Sequence, residues 1–308
     1  MRKTPIDAFR RRELVLVGLG HAAALTLGGI EPRDDVRLVG AVDPLGREAT
    51  TPVPPTVEVG RTLDDLPAFD IAVVATPTAT HPDVCRELFE RCRGDELVLC
   101  EKPLADDPAV ADGVLDAAAA AGIRFRVFLH FGFAAEVMWA REALAGRAPV
   151  ASVTCEFVDP YADDLEARTA ALVSSWPDSG INALSVLGRL VELRAAESLP
   201  GNTAVDTHVR VTFSSGGEDG VGAIRTAWGT HARKTTAVRL VDGTDVLLDH
   251  RAATVTIDGR EVFRGAADPS RDRYRLMLAA HLDDTELVHT THQVLELHRL
   301  LASGGSPR

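Results

Sequence analysis

The sequence is short of paired cysteines, of basic charge and of long apolar runs, and each shortage excludes a class of protein. Its four cysteines are Cys85, Cys92, Cys100 and Cys155. None forms a CxxC pair, and no histidine pair stands near them at zinc-finger spacing. They read as reduced core thiols, no metal site is expected, and the expected compartment is the cytoplasm. Lysine and arginine number 33 against 45 acids, a net charge of −12. That excludes nucleic acid as a partner, because phosphate binding needs a basic face. No stretch reaches the roughly 20 apolar residues of a membrane span. Internal repeats and low-complexity tracts are absent as well. What is present is 308 residues of ordinary globular composition, 45% hydrophobic and 25% charged. That is enough chain for two domains, with a core that needs no disulfide or metal.

The opening "MRKTPIDAFRRRELVLVGLGHAAALTLGG" imitates an export signal, with a basic head, an apolar stretch and small residues. Glu13 and His21 interrupt the apolar part. Cleavage near Ala23 would also remove the one strand–glycine–helix entry in the chain, so retention is expected.

That entry is the first chemical signal. Leu14 to Val17 is a short apolar run, followed by Gly18-Leu19-Gly20-His21-Ala22-Ala23 and an alanine- and leucine-rich helix. A second run, Val36 to Val42, ends in Asp43 at the distance where a dinucleotide fold places its ribose-binding acid. Gly18 allows the tight turn, Gly20 lets the pyrophosphate approach, and Ala23 lets helix and strand pack. The helix N-terminus then faces the phosphates. Asp43 would repel a 2′-phosphate and favours NAD, while Arg47 stands near enough to admit NADP.

Strand and helix go on alternating. Ile71 to Ala75 ends in Thr76-Pro77-Thr78-Ala79-Thr80-His81, and Leu97 to Cys100 ends in Glu101-Lys102-Pro103. Another strand is expected at 124–129, with helices near 82–92 and 108–121. Such alternation implies a parallel sheet covered on both faces, with ligands beyond the strand C-termini. The candidate cofactor-binding residues are Gly18, Leu19, Gly20, His21, Ala22, Asp43, Thr76, Pro77, Thr78, Glu101, Lys102 and Pro103. Residues 47–60, rich in proline and threonine, read as a loop, and His81 as a helix cap.

After about residue 145 the pattern changes. Strands are expected at 150–158, 205–213, 221–228, 236–241 and 254–257, separated by turn signals such as Asp242-Gly243 and Asp258-Gly259. Helices are expected near 181–191 and 291–301. The fold class is therefore α/β: an N-terminal Rossmann domain with a parallel sheet (1–128), then an α+β domain with an open, mostly antiparallel sheet (129–308). His231, His289 and His292 belong to no constellation.

GLGHAA, AVDP, ATPTATH and above all CEKPLA together resemble the glucose–fructose oxidoreductase/inositol dehydrogenase family, Gfo/Idh/MocA. The resemblance implies that Lys102 lies between the nicotinamide and the substrate hydroxyl, with a cis bond before Pro103. The family's second signature, an aspartate followed four residues later by histidine, is matched by "PDSGINALS". Asp178 fits the aspartate, and Asn182 stands in place of the histidine. That departure resembles the aldose 1-dehydrogenase branch, which includes L-arabinose and D-galactose 1-dehydrogenases. Lys102, Asp178 and Asn182 are then the candidate catalytic residues. His130, Glu156, Tyr161, Trp176 and Trp228 are the candidate substrate-binding residues. The implied activity is NAD(P)-dependent oxidation of an aldose at C1 to a lactone, by a homodimer or homotetramer. A cyclitol, a sugar nucleotide, an imine or ketone, and a non-catalytic NAD- and sugar-binding regulator stay open as alternatives.

Overall fold

The computed structural model describes residues 11–284 and 291–305. The chain divides into two compact units. One runs to Phe128 and includes His281–Asp283; the other holds Leu129–Ala280 and the residues from Asp284 on.

In the first unit the elements are β1 (Arg12–Val17), α1 (His21–Ile30), β2 (Val36–Val42), β3 (Glu58–Gly60), β4 (Ile71–Val74), α2 (His81–Arg91), β5 (Leu97–Glu101), α3 (Pro108–Ala120) and β6 (Arg124–Phe128). They build one six-stranded sheet in the order β3-β2-β1-β4-β5-β6, parallel throughout. Every residue of β4 and β5 is buried, as a strand covered on both faces requires. The helices start where the sequence offers caps. Asp107 accepts the Ala109 N–H at 2.8 Å ahead of α3, and α2 and α3 carry proline in their first turn. The expected loop 47–60 is more ordered than its composition implies: 58–60 pair with β2 as an edge strand.

In the second unit follow α4 (Ala135–Leu144), β7 (Val150–Asp159), α5 (Leu165–Leu172), α6 (Ile181–Leu190), β8 (Glu192–Ser198), β9 (Asp206–Ser215), β10 (Glu218–Trp228), β11 (Arg233–Leu240), β12 (Asp245–Asp249), β13 (Thr254–Ile257), β14 (Arg260–Arg264), α7 (Pro269–Leu282) and α8 (Thr291–Gly305). Eight strands form one sheet in the order β14-β13-β12-β11-β7-β10-β9-β8. All neighbours are antiparallel except β7 and β10. Burial alternates along β7, β9 and β10. Val153, Cys155 and Phe157 thus point to the side packed by helices, while Ser152, Thr154 and Glu156 point to the other. Strands β8, β12 and β14 and helices α4, α5 and α7 go beyond the sequence expectation. β8 and β14 are short edge strands with polar, exposed sequences, and α7 is rich in arginine. No helix among the described residues is long and apolar enough to cross a membrane.

Candidate active site

The glycine turn after β1 is shaped by backbone contacts that only glycine permits. Gly18 takes φ +89°, and a Cβ there would lie 2.8 Å from the Ala75 backbone. Around Gly20 the opposite holds: nothing lies within 4 Å of where its Cβ would be. One glycine lets two strand ends meet, and the other leaves room for a ligand. The Asp43 carboxylate braces the turn, accepting the Leu19 N–H and the Leu45 N–H, each at 2.9 Å. Thr51 braces it from the far side, donating its hydroxyl to the Gly20 carbonyl at 2.6 Å. His21 and Ala22 open α1, where first-turn amides have no intrahelical acceptor.

Gly18, Gly20 and Asp43 line a cavity of about 750 Å³ together with Arg61, Thr76 and Pro77, within the range that ligand sites occupy, roughly 300–1,000 Å³. An open Cα at Gly20, helix amides above it and a braced carboxylate at Asp43 fit an NAD pyrophosphate and ribose. Arg47 is not the basic residue at this cavity. Its guanidinium donates to the Val57 carbonyl. Arg61, at the end of β3, lines the wall and donates to the Pro44 carbonyl at 3.0 Å.

Thr76 and Pro77 follow β4, and Thr78 begins a 3-10 turn, 78–80. His81 does not cap α2: the N-cap is Thr80, and no side chain bonds the free amides of the first turn. His81 is 1% exposed, with Nε2 2.7 Å from the Thr76 carbonyl oxygen and Nδ1 2.9 Å from that of Pro103. The imidazole thus ties the Thr76 loop to the Glu101-Lys102-Pro103 turn. Burial holds its pKa below the ordinary histidine value, against the pull of the two carbonyls. Glu101 is buried and accepts the Lys102 N–H at 3.2 Å. The Lys102–Pro103 peptide is cis. Lys102 is half-buried at the end of β5.

In the second unit Trp176–Gly180 form one π-helical turn that leads into α6, an irregularity that often marks functional sites. The turn carries Asp178 and Ser179, and Asn182 follows in the first turn of α6. Asn182 is 4% exposed; its Nδ2 lies 3.5 Å from the Asp178 carbonyl oxygen, and its Oδ1 has no partner. Trp228, the last residue of β10, is 5% exposed, and its Nε1 also has no partner. The Tyr161 ring stands edge-on to it, 6.5 Å between centroids. His130 stacks on Tyr274 at 5.0 Å.

Two candidates have other surroundings. The Trp176 indole donates to the Leu301 carbonyl at 2.5 Å and packs where Cβ atoms of Gly180 and Gly304 would collide with it, so it fastens α8 to the π-turn. Glu156 points to the other face of the sheet from Phe157, in salt bridges of 2.8 Å to both Arg225 and Arg233. The carboxylate on the helix-packed side is Asp159. It accepts from the Ser179 hydroxyl at 2.6 Å and pairs with the Lys234 ammonium at 2.7 Å. Sequence reading passed over Asp159 and Lys234. The alternation along β7 and β11, counted to the strand ends, was the signal that could have found them. Deeper, Glu136, His250, Thr236 and Cys155 form a buried chain of contacts of 2.8, 2.9 and 3.1 Å. Burial pushes the Cys155 thiol up to about 12, which leaves it protonated and unreactive. No group of three or more potential metal ligands occurs among the described residues.

Residues 12–129 match the family model described as "Oxidoreductase family, NAD-binding Rossmann fold". No curated protein matches the sequence. Solved structures share the fold across both units at low identity. GenD2 from gentamicin A biosynthesis, in complex with NAD, is 21% identical, covering 96% of this chain and 93% of its own, at TM-score 0.75. UDP-N-acetylglucosamine 3-dehydrogenase GnnA from Acidithiobacillus ferrooxidans is 16% identical over 96% and 98%, at TM-score 0.75. Scyllo-inositol dehydrogenase from Lactobacillus casei, with bound NAD(H) and scyllo-inositol, is 13% identical over 96% of each, at TM-score 0.73.

Proposed function

We propose that this chain, which belongs to the Gfo/Idh/MocA oxidoreductase family and carries its NAD-binding Rossmann fold, oxidises an aldose at C1 to the lactone. The observation that carries the reading is Asn182. It is buried with an unpartnered Oδ1 in the place where the wider family has a titratable histidine, and where the aldose branch that this sequence resembles has asparagine.

Bound NAD would accept the hydride from C1. The protein's part is to hold the sugar and to take the proton from the C1 hydroxyl. We assign the proton to Lys102, at the end of β5 beside the buried Glu101. Asn182 does not titrate; its amide is both donor and acceptor, suited to holding a hydroxyl. Asp178 accepts from a second hydroxyl, and His130 and Tyr161 complete the polar wall. The Trp228 indole offers an aromatic face for sugar C–H groups. A polyhydroxylated ring as substrate is supported by the scyllo-inositol held in the Lactobacillus casei enzyme. Asp43 favours NAD over NADP, with Arg61 beside it as the residue that limits the preference. Self-association into a dimer or tetramer is assigned to the outer sheet face, where Val221 and Leu247 are exposed.

The test is a panel of aldoses and cyclitols, followed by nicotinamide absorbance. Reduction of NAD with one or more aldoses is expected. Binding of NAD without oxidation of any sugar would instead favour a regulator.

A further inference from the structure

We propose that Lys234, held in place by Asp159, is a sugar-binding cation that fixes which hydroxyl pattern the protein accepts. This rests on the reading of the chain as a sugar dehydrogenase and deepens it. Lys234, the second residue of β11, lies on the helix-packed side of the sheet, with its side chain 19% exposed. Its ammonium lies over two aromatic rings, 5.3 Å from the Phe131 centroid and 5.9 Å from that of Phe157. One polar partner, Asp159 Oδ1 at 2.7 Å, occupies it. An ammonium has three N–H groups, so donor capacity is left over. Asp159 is 7% exposed, and its Oδ2 accepts the Ser179 hydroxyl at 2.6 Å. The ion pair is therefore anchored to the π-turn that bears Asp178.

A purely structural role explains this poorly. Placing two charges against Phe131 and Phe157 costs desolvation, and packed apolar side chains of similar volume are often as stable or more so. The neighbouring groups carry the same sign of incompleteness. Trp228 stands opposite Asp159 in the β10–β7 register, one strand spacing away, about 4.8 Å. Its Nε1 is a buried donor without an acceptor. Asn182 lies three residues beyond Ser179, and its Oδ1 is a buried acceptor without a donor. Native proteins leave few such atoms unpaired. A neutral polyhydroxylated ligand supplies both kinds of partner, since each hydroxyl donates and accepts. The charge also fits a neutral sugar, because Asp159 balances Lys234.

The experiment compares wild-type protein with Lys234→Met, which keeps the stem and deletes the charge. Both are saturated with NAD and assayed on the best aldose of the panel and on its monodeoxy analogues. Loss of a charged donor is expected to raise the sugar KM roughly 10- to 100-fold, with kcat nearly kept and NAD affinity unchanged. One monodeoxy analogue should be much poorer than the parent sugar for wild type, and equal to the parent for the variant. An unchanged KM and an unchanged analogue ranking in folded Lys234→Met would overturn the proposal. If Lys234→Met does not fold, Lys234→Arg retains the bond to Asp159 but presents its donors as a planar fork. A changed ranking of sugars at unchanged melting temperature then supports the proposal, and an unchanged ranking overturns it. Should wild type oxidise no aldose, calorimetric sugar binding separates the two readings. Binding lost in the variant upholds Lys234 while the oxidation reading falls; binding kept in the variant, or absent from wild type, overturns Lys234.

Discussion

The two sheets solve burial differently, and that decides where each can carry chemistry. β4 and β5 are buried at every residue, so their interior side chains serve the core, and the candidate groups lie at or just beyond the strand ends: Thr76, Glu101, Lys102, the turn at Gly18. β7 and β10 alternate, so the strands themselves can carry candidate residues, and parity decides which residues share a face. Asp159 and Glu156 are three positions apart on one strand. The first meets Lys234 and Ser179; the second meets Arg225 and Arg233 on the other side. In a sheet covered on both faces the useful question is where strands stop, and in a half-covered sheet it is odd or even.

Lys102→Ala presses hardest on this contrast. If strand-end groups do the proton chemistry, kcat should fall roughly 10²–10⁴-fold while NAD affinity, measured by fluorescence titration, is kept. A variant with near-normal kcat would remove the proton role from that strand end.

A glycine pair gives the next effect. Gly18→Ala meets both a positive φ and the Ala75 backbone. It should cost at least roughly 1–3 kcal/mol in urea unfolding and lose NAD binding. Gly20→Ala has open space around it, so stability should stay near wild type while NAD affinity drops. Equal stability losses at the two positions would show that the turn is not built as described.

His81→Ala removes the link between the Thr76 carbonyl and Pro103 and should cost about 1–3 kcal/mol. Its pKa in the fold is depressed by burial, as is that of His298 in the second unit. The unfolded chain, with histidine near 6.5, then binds more protons than the folded one. Stability is therefore full above about pH 6.5 and declines as pH falls toward the folded values. Urea midpoints measured from pH 8 to 5 should show this decline, and His81→Ala should flatten it in part.

The smallest effect belongs to Asp35. Arg33 first, and Arg12 as well, hold its carboxyl well below the usual range, yet its side chain is 48% exposed. Asp35→Asn should cost about 0–1 kcal/mol at neutral pH. The depressed carboxyl contributes above the unfolded value near 3.9 and loses that contribution as pH falls, so wild type and variant should converge in acid. A larger loss would mean that exposed pairs matter here as much as the buried Lys234–Asp159 pair.

The sequence was most legible where a motif couples a turn to a strand end. Gly18, Asp43 and the Glu101-Lys102-Pro103 turn each announce a backbone requirement or a charge where an apolar run stops. Less was legible where contacts are long-range. Nothing local links Trp176 to Leu301, or His81 to Pro103, and Arg61 reaches the cavity only because β3 pairs with β2. The edge strands β8 and β14 lack apolar alternation, so no pattern marks them. Lys234 escaped notice for a different reason: a lysine between turn residues and a strand reads as surface until its face of the sheet is known.

The most direct measurement uses an aldose carrying deuterium at C1, incubated with the protein and NAD, with sugar and cofactor analysed by mass spectrometry. Oxidation at C1 predicts that the label moves to the reduced cofactor and that the sugar leaves as an unlabelled lactone. Reduced cofactor without the label, alongside a sugar product that retains it, would contradict C1 as the oxidised carbon.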